Sequence, residues 1–201
     1  VVLMPSGKTP RSAVVLVELL HEAGAPVNAV SCVTGRGSVI GAAAAGDSRV
    51  AAVSFTGSTE VGISLAGTCA KALRPVSLEL GGNDPLIIFD DCDFELALSE
   101  AVNGRVGNAG QTCCASKRFI VQRGIYRRFV SELAERLSKL KVGDPLDPTV
   151  ELGPCVRESS ARDVEEQINH TIRQGGRLVC GGKRKGAFVE PTVIEAAKDT
   201  D

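Results

Sequence analysis

Apolar residues recur at helical spacing through TPRSAVVLVELLHEAG (9–24) and stop at Gly24, which predicts a helix there. VNAVSCVTG (27–35) is rich in β-forming residues and ends at a glycine, so it predicts a strand, and GSVIGAAAAG (37–46) predicts a short helix of small residues. The apolar run VAAVSFTG (50–57) predicts a buried strand. STEVGISLAGTCAKAL (58–73) predicts a helix capped by Ser58 or Thr59, and PVSLEL (75–80) the next strand. After GGNDP (81–85) the order begins again, with a strand at LIIFD (86–90), a helix at 93–106, a strand at KRFIVQ (117–122) and an amphipathic helix at 125–140. A turn-rich connection (142–154) leads to a helix over 158–176 and a strand over 177–182. Strands alternating with helices imply right-handed crossovers and a parallel sheet, an α/β fold. The glycine pair Gly81-Gly82 is the expected lobe boundary, giving domains 1–80 and 81–201.

Composition narrows the partners. The chain carries 23 basic and 24 acidic side chains, a net charge of −1, so nothing points to nucleic acid or an acidic membrane surface. No apolar run approaches a membrane span, and the first residues lack a signal-peptide pattern. The seven cysteines, at 32, 69, 92, 113, 114, 155 and 180, are odd in number and irregularly spaced. That argues against a disulfide framework and for reduced thiols in the cytoplasm. Without a C-x-x-C pair, and with only two histidines, no metal site is expected.

Three places carry candidate chemistry. FTGSTEVG (55–62) is a strand–glycine–helix junction, where free backbone N–H groups and the helix dipole suit a phosphate, so Gly57 and Ser58 are candidates to hold one. Ile63 and Ser64 stand where a P-loop needs Lys and Ser/Thr, which disfavours a nucleoside triphosphate. Glu79 closes a strand that reads as buried, and burial makes a carboxylate a stronger base. Cys113 and Cys114 lie side by side in GNAGQTCCASKRFIV (107–121), 57 and 56 residues from the nearest histidine, His170. Both His21 and His170 read as residues on solvated helix faces.

SLELGGNDPLIIFDD, with Cys113 of NAGQTCCASKR 34 residues after its glutamate, resembles the paired active-site signatures of the aldehyde dehydrogenase superfamily. FTGSTEVG and the opening VVLMPSGKTP resemble two further motifs of that family in the expected order. The resemblance spans essentially the whole chain. It is nearest to the branch acting on small, often anionic aldehydes such as succinate semialdehyde, lactaldehyde or phosphonoacetaldehyde. It implies a Rossmann-like cofactor lobe followed by an α/β catalytic lobe, both incomplete, in a protein whose full-length form is a homodimer or homotetramer. It also implies a small aldehyde as substrate and NAD or NADP as hydride acceptor.

On the family pattern Gly-Gln-x-Cys, the nucleophile is Cys113 and Glu79 activates the hydrolytic water; no histidine is needed. The backbone N–H of Cys113 forms half of an oxyanion hole. Gly57 and Ser58 meet the pyrophosphate, the backbone of Glu79, Leu80 and Gly81 lies near the nicotinamide, and Met4, Pro5, Ser6 and Gly7 line the adenosine ribose. Two residues depart from the pattern: Met4 replaces a lysine that binds the ribose, and Gly7 replaces a glutamate common in NAD-preferring relatives. The choice between NAD and NADP therefore stays open. So do two other readings: a catalytically silent module that retains the fold, and a Cys–His hydrolase using His170. Family motifs upstream of residue 1 and downstream of Asp201 are not in the chain, which reads as the middle of an aldehyde dehydrogenase.

Overall fold

Every predicted helix forms, and local chemistry sets its ends. The computed structural model describes residues 1–196. The chain divides between Gly81 and Gly82 into two compact units.

In the first unit, β1 (Val2–Leu3) pairs in parallel with β2 (Ser31–Cys32), and α1 (Pro10–Glu22) connects them. Proline is tolerated in the first turn of α1 because its missing N–H would have no partner there. The segment 27–30, expected to be strand, is instead a turn in which Ala29 N donates to Pro26 O at 2.8 Å. α2 (Gly37–Gly46) follows, then β3 (Val53–Thr56), α3 (Thr59–Ala70) and β4 (Val76–Glu79), with β3 and β4 parallel. The expectation of a buried strand at 50–57 is corrected: β3 alternates half-buried with exposed residues, so only one of its faces is covered. The parallel sheet exists only as separate two-stranded pairs. Arg74 ties the end of α2 to this unit through hydrogen bonds to the carbonyls of Ala45 and Asp47.

Three helices end in the same hydrogen-bond pattern, a Schellman motif. After α1, Gly24 N donates to His21 O and Ala25 N to Leu20 O. After α3, Leu73 N donates to Ala70 O and Arg74 N to Cys69 O. The left-handed position of this motif favours glycine, and Gly24 occupies it with φ 97°. Leu73 takes the same position with φ 50° and an almost fully exposed side chain (94%).

In the second unit, β5 (Pro85–Ile88) and β6 (Arg118–Val121) are parallel, joined through α4 (Phe94–Val106) and a 3-10 turn at Gly107–Gly110. Asp93 caps α4 by accepting from Leu96 N at 3.1 Å. α5 (Arg123–Ser138) lays Phe129, Leu133 and Leu137 against Leu98 and Ala101 of α4 and Ile88 of β5, and all six are buried. Phe94 meets Phe129 edge-on at 6.2 Å between ring centroids, and the Arg128 guanidinium stacks over the Phe94 ring. α6 (Glu158–Arg173) ends in the third such motif, at Gly175. It leads to β7 (Arg177–Cys180), the hairpin β8 (Arg184–Lys185) and β9 (Phe188–Val189), and β10 (Val193–Glu195), which pairs antiparallel with β7. The strands beyond residue 182 have no counterpart in the sequence reading.

Candidate functional site

In the first unit the candidate residues collect at the C-terminal end of the β3–β4 pair. Thr56 lies opposite Glu79, and Gly57 N donates to Glu79 O at 3.0 Å. A Cβ on Gly81 would stand 3.8 Å from Thr59 Oγ1, so residues 57–59 and 79–81 share one edge. A Cβ on Gly57 would run into the Phe55 ring, which explains the glycine. Ser58 caps α3, its Oγ accepting from Val61 N at 3.4 Å. The N–H groups of Thr59 and Glu60 have no acceptor among the described residues, so they are free to bind an anion. The Glu60 carboxylate in the same turn works against that charge.

Glu79 is exposed, which corrects the expectation that burial strengthens it as a base: β4 alternates and Glu79 falls on its open side. Met4, Pro5, Ser6 and Gly7 follow β1 on the other parallel pair, and no strand hydrogen bonds join the two pairs. Met4 and Pro5 are half-buried. Ser6 starts the turn into α1, its carbonyl accepting from Thr9 N at 3.0 Å and its Oγ from Lys8 N at 3.3 Å. A Cβ at Gly7 would meet only Gly35 O, at an ordinary 3.8 Å, so the position has room for a side chain.

The two histidines behave differently. His170 is exposed on α6. His21 is half-buried and its Nε2 lies 3.0 Å from Val30 O, which corrects its reading as a solvated residue: it fastens the last turn of α1 to the chain before β2.

Cys113 and Cys114 stand in the second unit, both exposed and both free thiols. The chain enters their loop through three successive left-handed residues, Asn108 (φ 51°), Ala109 (φ 54°) and Gly110 (φ 71°). Arg105 Nη1 donates to Gly110 O at 3.2 Å, and burial lowers the pKa of this guanidinium from its ordinary value. Beneath the cysteines, Ala115 is buried and its N–H donates to Thr112 O at 3.1 Å. Lys117 Nζ donates to Cys113 O at 3.0 Å and to Ala115 O at 3.1 Å, with Asp84 Oδ2 at 3.9 Å. The amides of Lys117 and Arg118 both donate to Asp84 O. The Cys113 N–H has no acceptor among the described residues, as an oxyanion donor requires.

The sequence reading missed Gln111 and Lys117 as residues that shape this loop. A lysine four residues after Cys113 is a signal only once the loop is known to turn back on itself.

The chain is thus an α/β protein with a strand–glycine–helix junction in one unit and an exposed thiol pair in the other. The aldehyde dehydrogenase family model matches residues 1–201, and the chain belongs to that family. It is 44% identical over 196 residues to the succinate-semialdehyde dehydrogenase (NADP(+)) of Escherichia coli strain K12, covering 96% of this chain and 41% of that protein. It is 45% identical over 196 residues to the 3-sulfolactaldehyde dehydrogenase of Pseudomonas putida, covering 96% and 40%. Among solved structures, the lactaldehyde dehydrogenase of Escherichia coli superposes with a TM-score of 0.91 at 37% identity, covering 96% of this chain and 41% of that one. The chain thus spans about two fifths of the length of these relatives.

Proposed function

We propose that this chain carries the thiol chemistry of an NAD(P)-dependent aldehyde dehydrogenase that oxidises a small aldehyde to its carboxylic acid. The observation that carries the reading is Cys113: an exposed thiol two residues after Gln111, with its own N–H unengaged, in a chain of this family. Relatives named for NADP(+), and a betaine aldehyde dehydrogenase from Staphylococcus aureus solved in complex with NAD+, support either cofactor. The residues present fit the pyrophosphate end, through the free N–H groups at α3 and the bare Gly57. They fit the ribose end less well, because the Met4 side chain has no hydrogen to donate. All seven cysteines are free, which supports a cytoplasmic protein.

In this mechanism the Cys113 thiolate adds to the aldehyde carbon, and its N–H donates to the oxygen as negative charge develops there. A nicotinamide, when bound, would supply the hydride acceptor. Once the hydride has left that carbon, the sulfur holds a thioester. Glu79 takes a proton from water, which attacks the thioester and releases the acid and the thiolate. Lys117 donates to the Cys113 carbonyl and so helps to hold the loop that carries the thiol.

A chromogenic ester tests the reading without cofactor. The natural chain and Cys114→Ser should release a burst of chromophore close to one equivalent, and Cys113→Ser should release none. A second reading, a silent relative that keeps the fold, predicts no burst from any variant.

A further inference from the structure

The Gln111 carboxamide makes three hydrogen bonds, all to backbone. Its Oε1 accepts from Val156 N at 2.7 Å, and its Nε2 donates to Asn108 O at 3.0 Å and to Pro154 O at 3.4 Å. Chemistry fixes the orientation: reversed, the amide would set its NH2 against the Val156 N–H and its oxygen against two carbonyls. One side chain thus bridges 45 residues of sequence, from the cysteine loop to the chain ahead of α6.

Each end of the bridge has a physical reason to matter. The segment ahead of α6 is anchored, with Cys155 N donating to Ala187 O at 2.8 Å in the β8–β9 hairpin. The cysteine loop is not secured by local preference: Asn108 and Ala109 sit in the left-handed region that L-residues avoid, so the turn needs an outside hold. The Gln111 bonds to Val156 N and Pro154 O supply one.

We propose that Gln111 is a positioning residue whose carboxamide ties the Cys113 loop to the Pro154–Val156 segment and so sets where the thiol stands. This rests on the reading of Cys113 as the nucleophile. Gln111 is exposed and its bonds compete with water, so its removal shifts the loop more than it lowers stability. Burial pushes the thiol pKa of Cys155, beside the anchor, above the ordinary value, which slows its alkylation.

The test labels the full chain briefly with iodoacetamide at neutral pH, maps occupancy at Cys113 and Cys114, and follows hydrogen exchange at the Val156 amide. The natural chain should label Cys113 first. Gln111→Met keeps the side-chain length but none of the polar atoms. It should lower the Cys113-to-Cys114 labelling ratio by about fivefold or more. It should also speed Val156 exchange by about tenfold or more while Tm stays within a few degrees. Gln111→Glu keeps an acceptor for Val156 N but loses the donors, so it should preserve Val156 protection and still lower the ratio. A ratio in Gln111→Met within about twofold of natural would overturn the proposal and leave Cys113 standing. So would a lowered ratio with Val156 still protected. If Gln111→Met does not fold, an unchanged ratio in Gln111→Glu overturns it instead. A natural chain that labels Cys114 first overturns the Cys113 reading, and this proposal with it.

Discussion

The two units bury their apolar side chains very differently. The second locks Phe129, Leu133, Leu137, Leu98, Ala101 and Ile88 into one cluster drawn from two helices and a strand. The first fully buries only Val17, Ala45 and Cys69 among its apolar side chains, and leaves Val15, Leu16, Leu19 and Leu20 exposed along α1. Burial of apolar surface is the main favourable term in folding, at about 25 cal/mol per Å². The cysteine loop therefore belongs to the unit with the larger buried cluster, and residues 57–59 and 79–81 to the other. The edge that carries residues 57–59 and 79–81 is held mainly by backbone pairing between β3 and β4.

The sharpest way to break that contrast is to empty each core. Phe129→Ala should cost about 3–5 kcal/mol, the range for deleting a buried aromatic, and should unfold the second unit cooperatively. Val17→Ala removes two methyl groups and should cost only about 1–2 kcal/mol. Chemical denaturation with hydrogen exchange resolved by unit checks both. Equal losses would mean that the first unit is as well founded as the second.

A smaller effect lies at the helix ends. Leu73→Gly should stabilise the first unit by about 1 kcal/mol, because glycine meets no penalty in the left-handed position. Gly175→Leu should destabilise the second unit by about 1–2 kcal/mol for the opposite reason. Thermal unfolding of the two variants measures this, and a gain from Gly175→Leu would contradict the shared cap.

The smallest effect is electrostatic. Hydrogen bonds from the Arg49 side chain and amide hold the Asp47 carboxyl well below the usual carboxylate range. A carboxyl depressed in the folded state contributes stability above its unfolded value, and loses it as pH falls below about 4. Arg49→Ala should therefore raise the acid midpoint of the first unit slightly, and high salt should shrink the difference. An acid titration followed by circular dichroism reads it. No change at low salt would show that the pair is too solvated to matter.

Helices were the most legible part of the fold, because an apolar stripe and a cap are local signals: Gly24 and Ser58 mark helix ends in the sequence. Strand extents were less so. VNAVSCVTG contributes only Ser31–Cys32, since strand length depends on a partner that residues 27–35 do not reveal. The β8–β9 hairpin has strands of only two residues each, with Gly186 as its turn signal. At the site, Gly57, Ser58 and Glu79 were legible as a strand–helix junction and a strand end. The exposure of Glu79 was not, because alternation along β4 decides it. Gln111 was visible as part of a motif, but its partners are backbone groups up to 45 residues away, and no residue type marks them.

The central claim is that Cys113 accepts the acyl group and Glu79 removes it. The most direct measurement is to acylate Glu79→Gln with a chromogenic ester and locate the adduct by tandem mass spectrometry of the peptide that contains both cysteines. The account predicts a full burst, turnover reduced by about 10²-fold or more, and the acyl group on Cys113. An adduct on Cys114, or turnover that does not fall, would contradict it.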